Sequence, residues 1–293
     1  MERKNSLVLN ITSGDCSGKL IGESSIQGEV FVWRDVLYDG PLRNGGVLSA
    51  DEMQERAKYL SVLTGGGLLQ DDIFQGMEES YARLVDLNKY DEIVFWSDAC
   101  LFDLSMLAHI LTCVPFDVRE KCRLICISEF DGIAPFNGLG QLTPEQIASL
   151  YPRQKVITEE QFEFLELVDL AFSTQGEDEF LKIVNYKDPP LCYFSQAVIR
   201  WLEEKPGGVM QVGKLEKLVL DALGAGCVKP SDIFKYVAEH DSIPQYWGDT
   251  TLWQKVNGLS DRGLILIEGP DVMLPQWINS GHKLSEFVVK IAF

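Results

Sequence analysis

In the first half of the chain, acidic side chains recur directly behind apolar runs: Asp15 after LVLNITSG, Asp35 and Asp39 after EVFVWR, and Asp98 and Asp103 after EIVFWS. Carboxylates brought together raise one another's pKa values and become proton carriers. They can also hold a hard cation, and Mg²⁺ is the cofactor this set would take. Asp98, Asp103 and Asp35 are therefore the catalytic candidates. The plainer reading has Asp103 capping a helix and Asp98 facing solvent. No motif names a metal site, and the cofactor stays unidentified.

The neighbouring residues suit an anion. Residues 14–18, GDCSG, can cradle a phosphate, with backbone N–H groups and Ser17 at a helix N-terminus. The stretch is neither G-x-G-x-x-G nor a Lys-Ser/Thr phosphate loop. A tight strand-to-helix turn with Asp15 as N-cap explains it equally well. Arg34 offers a planar fork for a carboxylate or phosphate. Asp35, next on the strand, points to the other face. Asp39 and Gly40, followed by Pro41, carry turn chemistry. Trp33 and Trp96 occupy equivalent places on two strands, where they can stack on a planar ligand, although core packing is the simpler role for a large aromatic. The ligand-binding candidates are thus Gly14, Asp15, Ser17, Trp33, Arg34, Asp39, Gly40 and Trp96.

The elements that must position these groups alternate. Residues 6–12, 29–33, 92–96 and 123–128 are short and rich in Val, Ile and aromatics, as strands are. Between them, residues 50–64, 73–88 and 103–114 show helical spacing. Strand and helix in turn predict an α/β fold with a mostly parallel, Rossmann-like sheet and helices on both faces. Ligands of such sheets bind outside the carboxyl ends of the strands. If the strands are parallel, the polar groups above gather on one rim. Gly65, Gly66 and Gly67 follow no strand and read as a break between helices.

Farther on, residues 128–142 are a Gly/Pro-punctuated loop, and Thr143 with Pro144 opens a helix. Residues 159–172 and 194–204 are also helical, and residues 205–211, KPGGVMQ, look like a linker. Three helices follow over 214–259, then LILIEGPDVMLP, which offers two short strands around Gly269 and Pro270. That is a winged helix-turn-helix pattern. The expected organisation is an α/β domain over 1–142, a helical module and linker over 143–209, and a winged-helix-like domain over 210–293.

Composition bounds the partners. The chain has 293 residues and a formal charge of −18. Residues 1–150 hold 12 basic against 23 acidic groups, whereas residues 210–293 hold 8 against 10. An acidic front half repels phosphate backbones at long range, so nucleic-acid contact would have to come from the C-terminal end. There the final helix offers Thr250, Thr251, Gln254, Lys255, Asn257 and, beyond it, Arg262, few cations for such a footprint. No segment is apolar for the length of a membrane helix. The start, MERKNSLVLN, lacks a secretory signal pattern. Seven cysteines, mostly in apolar runs, fit reduced thiols, and the chain is expected in the cytoplasm. Of the three histidines, His109 lies within an apolar helix, and none neighbours a Ser or Cys in a nucleophile motif.

The stretches SGDCSGKL, VWRDVLYDGP, EIVFWSDACLFDLSML, GLGQLTPEQIASLYPRQKVIT and WGDTTLWQKVNGLSD, in this order and over nearly the whole chain, resemble the bacterial domain-of-unknown-function family 1835. The resemblance implies a Rossmann-like N-terminal domain and a winged-helix-like C-terminal region, with no activity attached. One departure stands out. Where that family shows a Glu-His-Asp trio after Trp and then a further Asp, this chain has Asp98-Ala99-Cys100 and then Asp103. A histidine acting as a proton carrier there would be missing here. The leading expectation is a small anionic, phosphorylated or nucleotide-like ligand at the strand-end rim, with Asp-dependent or Mg-dependent chemistry. The alternative is a ligand-responsive regulator whose C-terminal region contacts DNA or a protein.

Overall fold

The structure, a computed structural model, describes residues 6–43, 45–277 and 281–292. The four expected strands form as β1 (Val8–Ser13), β2 (Glu29–Trp33), β3 (Glu92–Asp98) and β4 (Cys122–Ile127). A two-residue β5 (Lys155–Val156) joins them, giving the sheet order β2-β1-β3-β4-β5. The pairings β1 with β2, β1 with β3 and β3 with β4 are all parallel; β5 runs antiparallel to β4. The chain steps outward from β1 to β2, then returns past β1 to β3. With right-handed crossovers that reversal puts successive connections on opposite faces of the sheet.

Side-chain alternation builds the core from there. Val94 and Trp96 on β3 and Ile125 and Ile127 on β4 pack with Ile21 of α1 (Asp15–Glu23) and with Ile147 and Leu150 of α5 (Pro144–Leu150). Trp96 is fully buried, and its indole N–H donates to Asn10 Oδ1 at 3.0 Å, which satisfies two polar groups at mid-sheet. Between β2 and β3 lie α2 (Ala50–Leu63) and α3 (Gln70–Val85). Helix α4 (Leu101–Cys113) has ten buried residues and is apolar nearly all round, as expected of a helix covered on both sides. Its outer cover is α6 (Glu159–Thr174), which contributes buried Phe162, Leu165, Val168 and Phe172. The Thr143/Gln146 and Thr158/Gln161 capping boxes start α5 and α6. Then come α7 (Glu177–Val184) and α8 (Tyr193–Leu202).

Among the described residues, those up to Met53 and from Gln75 to Val198 make one compact unit, and those from Gln54 to Phe74 and from Ile199 onward make another. The expected boundaries after 142 and after 209 fall inside these units. Helix α6 packs on α4 within the first unit.

The second unit holds α9 (Lys214–Gly224), α10 (Pro230–His240), α11 (Asp249–Asp261), β6 (Ile265–Glu268) and β7 (Val288–Ile291). Arg200 grips both oxygens of Asp241 at 2.8 and 2.9 Å, and the Trp247 N–H donates to the same carboxylate at 2.7 Å. The expected hairpin at Gly269 and Pro270 is corrected: β6 pairs antiparallel with β7, far along the chain. Residues 271–274 form no strand, because the Asn257 side chain takes both the N–H and the C=O of Leu274. Residues 205–212 are more than a linker. Gly207 and Val212 close a small antiparallel bridge. No helix among the described residues is long and apolar enough to cross a membrane.

Two glycines of α1 test this packing. Gly18 lies against the Val32 side chain with no room for a Cβ, whereas Gly22 faces open space. Gly18→Val should lower the unfolding free energy by about 1 to 3 kcal/mol through overpacking. Gly22→Ala should raise it by roughly 0.5 to 1 kcal/mol by restricting the unfolded chain. Urea denaturation midpoints of the two variants read both effects.

Candidate functional site

Strand β1 hands over to α1 through Gly14, whose φ of 68° only glycine adopts readily. Gly14 is the N-cap; Asp15, expected there, is the first helical residue. No side chain caps this end, so the leading N–H groups of α1 lack a side-chain acceptor. Ser17 departs from its expected role. It is buried, and its hydroxyl donates back to the Ser13 carbonyl and receives Thr12 Oγ1 at 3.1 Å. Asp15 and Cys16 are exposed.

At the end of β2, alternation turns Arg34 outward and Asp35 inward. Arg34 Nε and Nη2 both donate to Asp15 Oδ1, at 2.9 and 2.6 Å. The pair is about 70% exposed on each side and so is worth at most about 1 kcal/mol. Asp35 is buried, with Oδ1 accepting from the Val36 N–H at 2.6 Å. Asp39 accepts from the Gly40 N–H at 2.8 Å, and Gly40 has φ 81°, as the turn reading of these two residues requires. Trp33 and Trp96 present no face to a ligand. Trp33 is 2% exposed and meets Tyr81 and His109 edge-on, while Trp96 is 0% exposed and stacks on Tyr151.

The end of β3 carries the chemically unusual group. Cys100 is the N-cap of α4, and Asp103, on the first turn, reaches back across the sheet. One Asp103 oxygen accepts from Ser13 Oγ in a short hydrogen bond, and the other accepts the Asp98 N–H at 2.8 Å. Asp98 Oδ1 accepts from the Cys100 N–H and Oδ2 from the Leu139 N–H, both at 3.3 Å. Both acids are buried, so the reading of Asp98 as solvent-facing is overturned. The cover is the segment 128–142, held down by buried Phe136, Leu139 and Leu142. Gly138 rests directly on Asp98 Oδ2, where a Cβ would not fit. Glu129 and Asp131 sit on this cover, exposed.

Strands β1 and β3 are adjacent, and the chain's first reversal lies between them, which is the switch point where open α/β sheets take ligands. The strand-end residues fall into two sets: an outer one, half-buried Gly14 with exposed Asp15 and Arg34, and a buried one, Ser13, Asp98, Cys100 and Asp103. The Ser13-Gly14 peptide joins them.

Burial raises the pKa of Asp98, against the pull of the Cys100 and Leu139 N–H groups. Burial and then the charge of Asp98 raise Asp103 well above the ordinary carboxylate range. The Cys100 thiol is pushed well up by burial and by both acids, so it stays protonated and is no nucleophile. Ligand atoms of Asp98, Cys100 and Asp103 lie within 4.8 Å of one another. The set suits Mg²⁺ poorly. All four carboxylate oxygens already accept a hydrogen bond, and a buried thiol replaces the waters that Mg²⁺ retains.

One buried network lies outside the expected site. His109 Nδ1 is 3.0 Å from Asp169 Oδ1, and its Nε2 is 2.7 Å from the Tyr81 hydroxyl. Asp169 Oδ2 accepts the Gly45 N–H at 3.0 Å, anchoring the connection that leaves β2. Burial alone would lower the imidazole pKa, but the Asp169 hydrogen bond and the Cys113 contact prevail and raise it to about 10. The available signal was a polar residue in each of two apolar helical runs, MLAHIL and ELVDLAF.

Each network gives a pH signature. For Asp103, the raised folded pKa means that its contribution is complete below the unfolded value near 3.8 and is lost as pH climbs. Asp103→Asn keeps both contacts, since an amide can donate to Ser13 and accept from Asp98. Its advantage over the wild type in urea unfolding should therefore grow from pH 5 to pH 8. For His109, the stabilisation is complete below about 6.5 and is lost as pH rises through about 10. His109→Gln should cost about 3 to 5 kcal/mol at pH 6, by stranding Asp169, and the deficit should narrow toward pH 10.

No protein-family model and no curated protein matches this chain.

Proposed function

We propose that the α/β unit is a Rossmann-like domain that binds a small phosphorylated or nucleotide-like anion at its strand-end rim. The observation that carries this reading is the Ser13 to Asp103 hydrogen bond, which ties the β1–α1 turn to the start of α4 at the sheet's switch point. Next to that tie stands a helix end without a side-chain cap, suited to an anion. Arg34 supplies the cation. Its partner Asp15 is held by an exposed bond weak enough to be exchanged for a phosphate oxygen. In this reading Asp15 is the counter-ion displaced by the ligand. A proton held on the buried Asp98 and Asp103 pair behind the rim lowers the negative charge that the bound anion meets. Asp35, Asp39 and Gly40 shape the turn that presents Arg34. Cytoplasmic placement and kinship with domain-of-unknown-function family 1835 are parts of the same proposal.

The regulator reading rests on α9, α10 and α11 followed by the β6/β7 pair, a winged-helix-like order. Two of the residues that would read DNA are used internally. Asn257 binds Leu274, and Arg262 binds Glu216 and the Gln211 carbonyl. A protein contact therefore suits this unit better than DNA.

Thermal shift with inorganic phosphate, AMP and a sugar phosphate tests the binding reading. A ligand at about 100 times its Kd adds about 2.7 kcal/mol to the native state, a shift of several degrees. Arg34→Ala should abolish the shift, and Asp15→Asn should enlarge the one given by phosphate. Absence of any shift with all three anions, or an unchanged shift in Arg34→Ala, contradicts the proposal.

A further inference from the structure

The Gly65, Gly66 and Gly67 run has no part in the α/β site, yet it walls a cavity of about 260 Å³ in the second unit. Asp271, Trp277, His282 and Phe287 line the same cavity. The glycine turn offers no donor for an anion. Its three N–H groups are spent on the carbonyls of Val62, Ser61 and Thr64, at 2.9, 2.8 and 3.1 Å. Asp271, exposed at the margin, adds a full negative charge.

Three of these residues are aromatic. Trp277 lies so close to Gly67 that a Cβ there would overlap its ring, so only glycine permits this approach. His282 and Phe287 meet edge to face with ring centroids 6.4 Å apart. Gln276 holds this lining in place. Its Nε2 donates to the Leu63 carbonyl at 2.9 Å, its Oε1 accepts from Asn257 at 3.2 Å, and its carbonyl receives Thr250 Oγ1 at 3.0 Å.

Three aromatic side chains, one carboxylate and no available glycine N–H form an environment that suits an organic cation. We propose that this cavity binds a small alkylammonium group, such as a quaternary ammonium head. The volume, about 260 Å³, falls just below the usual range for drug-sized ligands, which fits a head group. A bare metal cation is disfavoured because the lining supplies a single carboxylate. The formal charge of −18 raises the local concentration of any cation.

Titration of the full chain with tetramethylammonium, followed through the Trp277 indole N–H resonance assigned with Trp277→Phe, tests this directly. Saturable binding is expected, with tert-butanol, of similar size but uncharged, at least about tenfold weaker. Asp271→Asn, a surface change that leaves the fold intact, should weaken tetramethylammonium several-fold. Trp277→Leu, with its fold checked by circular dichroism, should abolish binding. Equal binding of tert-butanol, undiminished affinity in both variants, or no saturation would overturn the proposal.

Discussion

Two carboxyl groups buried within hydrogen-bonding reach of the same backbone are the constraint around which the α/β unit is arranged. Asp103 binds the Asp98 N–H with one oxygen and Ser13 with the other, so the ends of β3 and β1 are held by a single side chain. Neither acid can ionise freely under a cover anchored by Phe136, Leu139 and Leu142. A proton held there substitutes for a buried charge that would otherwise be expensive. Ser13 leads straight into Gly14, so the same tie fixes the turn from which Asp15 reaches Arg34.

A second buried network holds the connection that leaves β2. His109, deep in the apolar helix α4, holds Asp169 of α6, and Asp169 in turn holds the Gly45 N–H. The connection leaving β2 therefore begins at Arg34, tied to α1, and reaches an anchor on α6. That anchor is the buried Asp169 carboxylate, whereas the Arg34 bond to Asp15 is exposed and weak.

Much of this was legible in the residues because parallel strands buried on both faces read as continuous Val, Ile and aromatic runs. EVFVW and EIVFW declare themselves, and each is followed by the polar residues that end it. What stayed hidden depends on segments far apart in sequence. Asp98 looks solvent-facing until Gly138 and Leu139 fold over it. His109 looks like a stray polar residue until α6 brings Asp169. β5 is too short, at Lys155 and Val156, to show any period. VMLP reads as a strand, and only the Asn257 side chain, holding the Leu274 backbone, removes it from the ladder. Ser17 has the right type for a phosphate loop, but its hydroxyl is turned inward to the carbonyl of Ser13.

The account stands or falls on the protonation of the Asp98 and Asp103 pair, which carboxyl-carbon NMR of aspartate-labelled protein reports directly. Assigned through the Asp98→Asn and Asp103→Asn spectra, at least one of the two signals should titrate well above the ordinary carboxylate range. If both signals titrate together near 3.8, the value of an unperturbed aspartate, the carboxyls are solvated, and the closed switch point described for this fold does not exist.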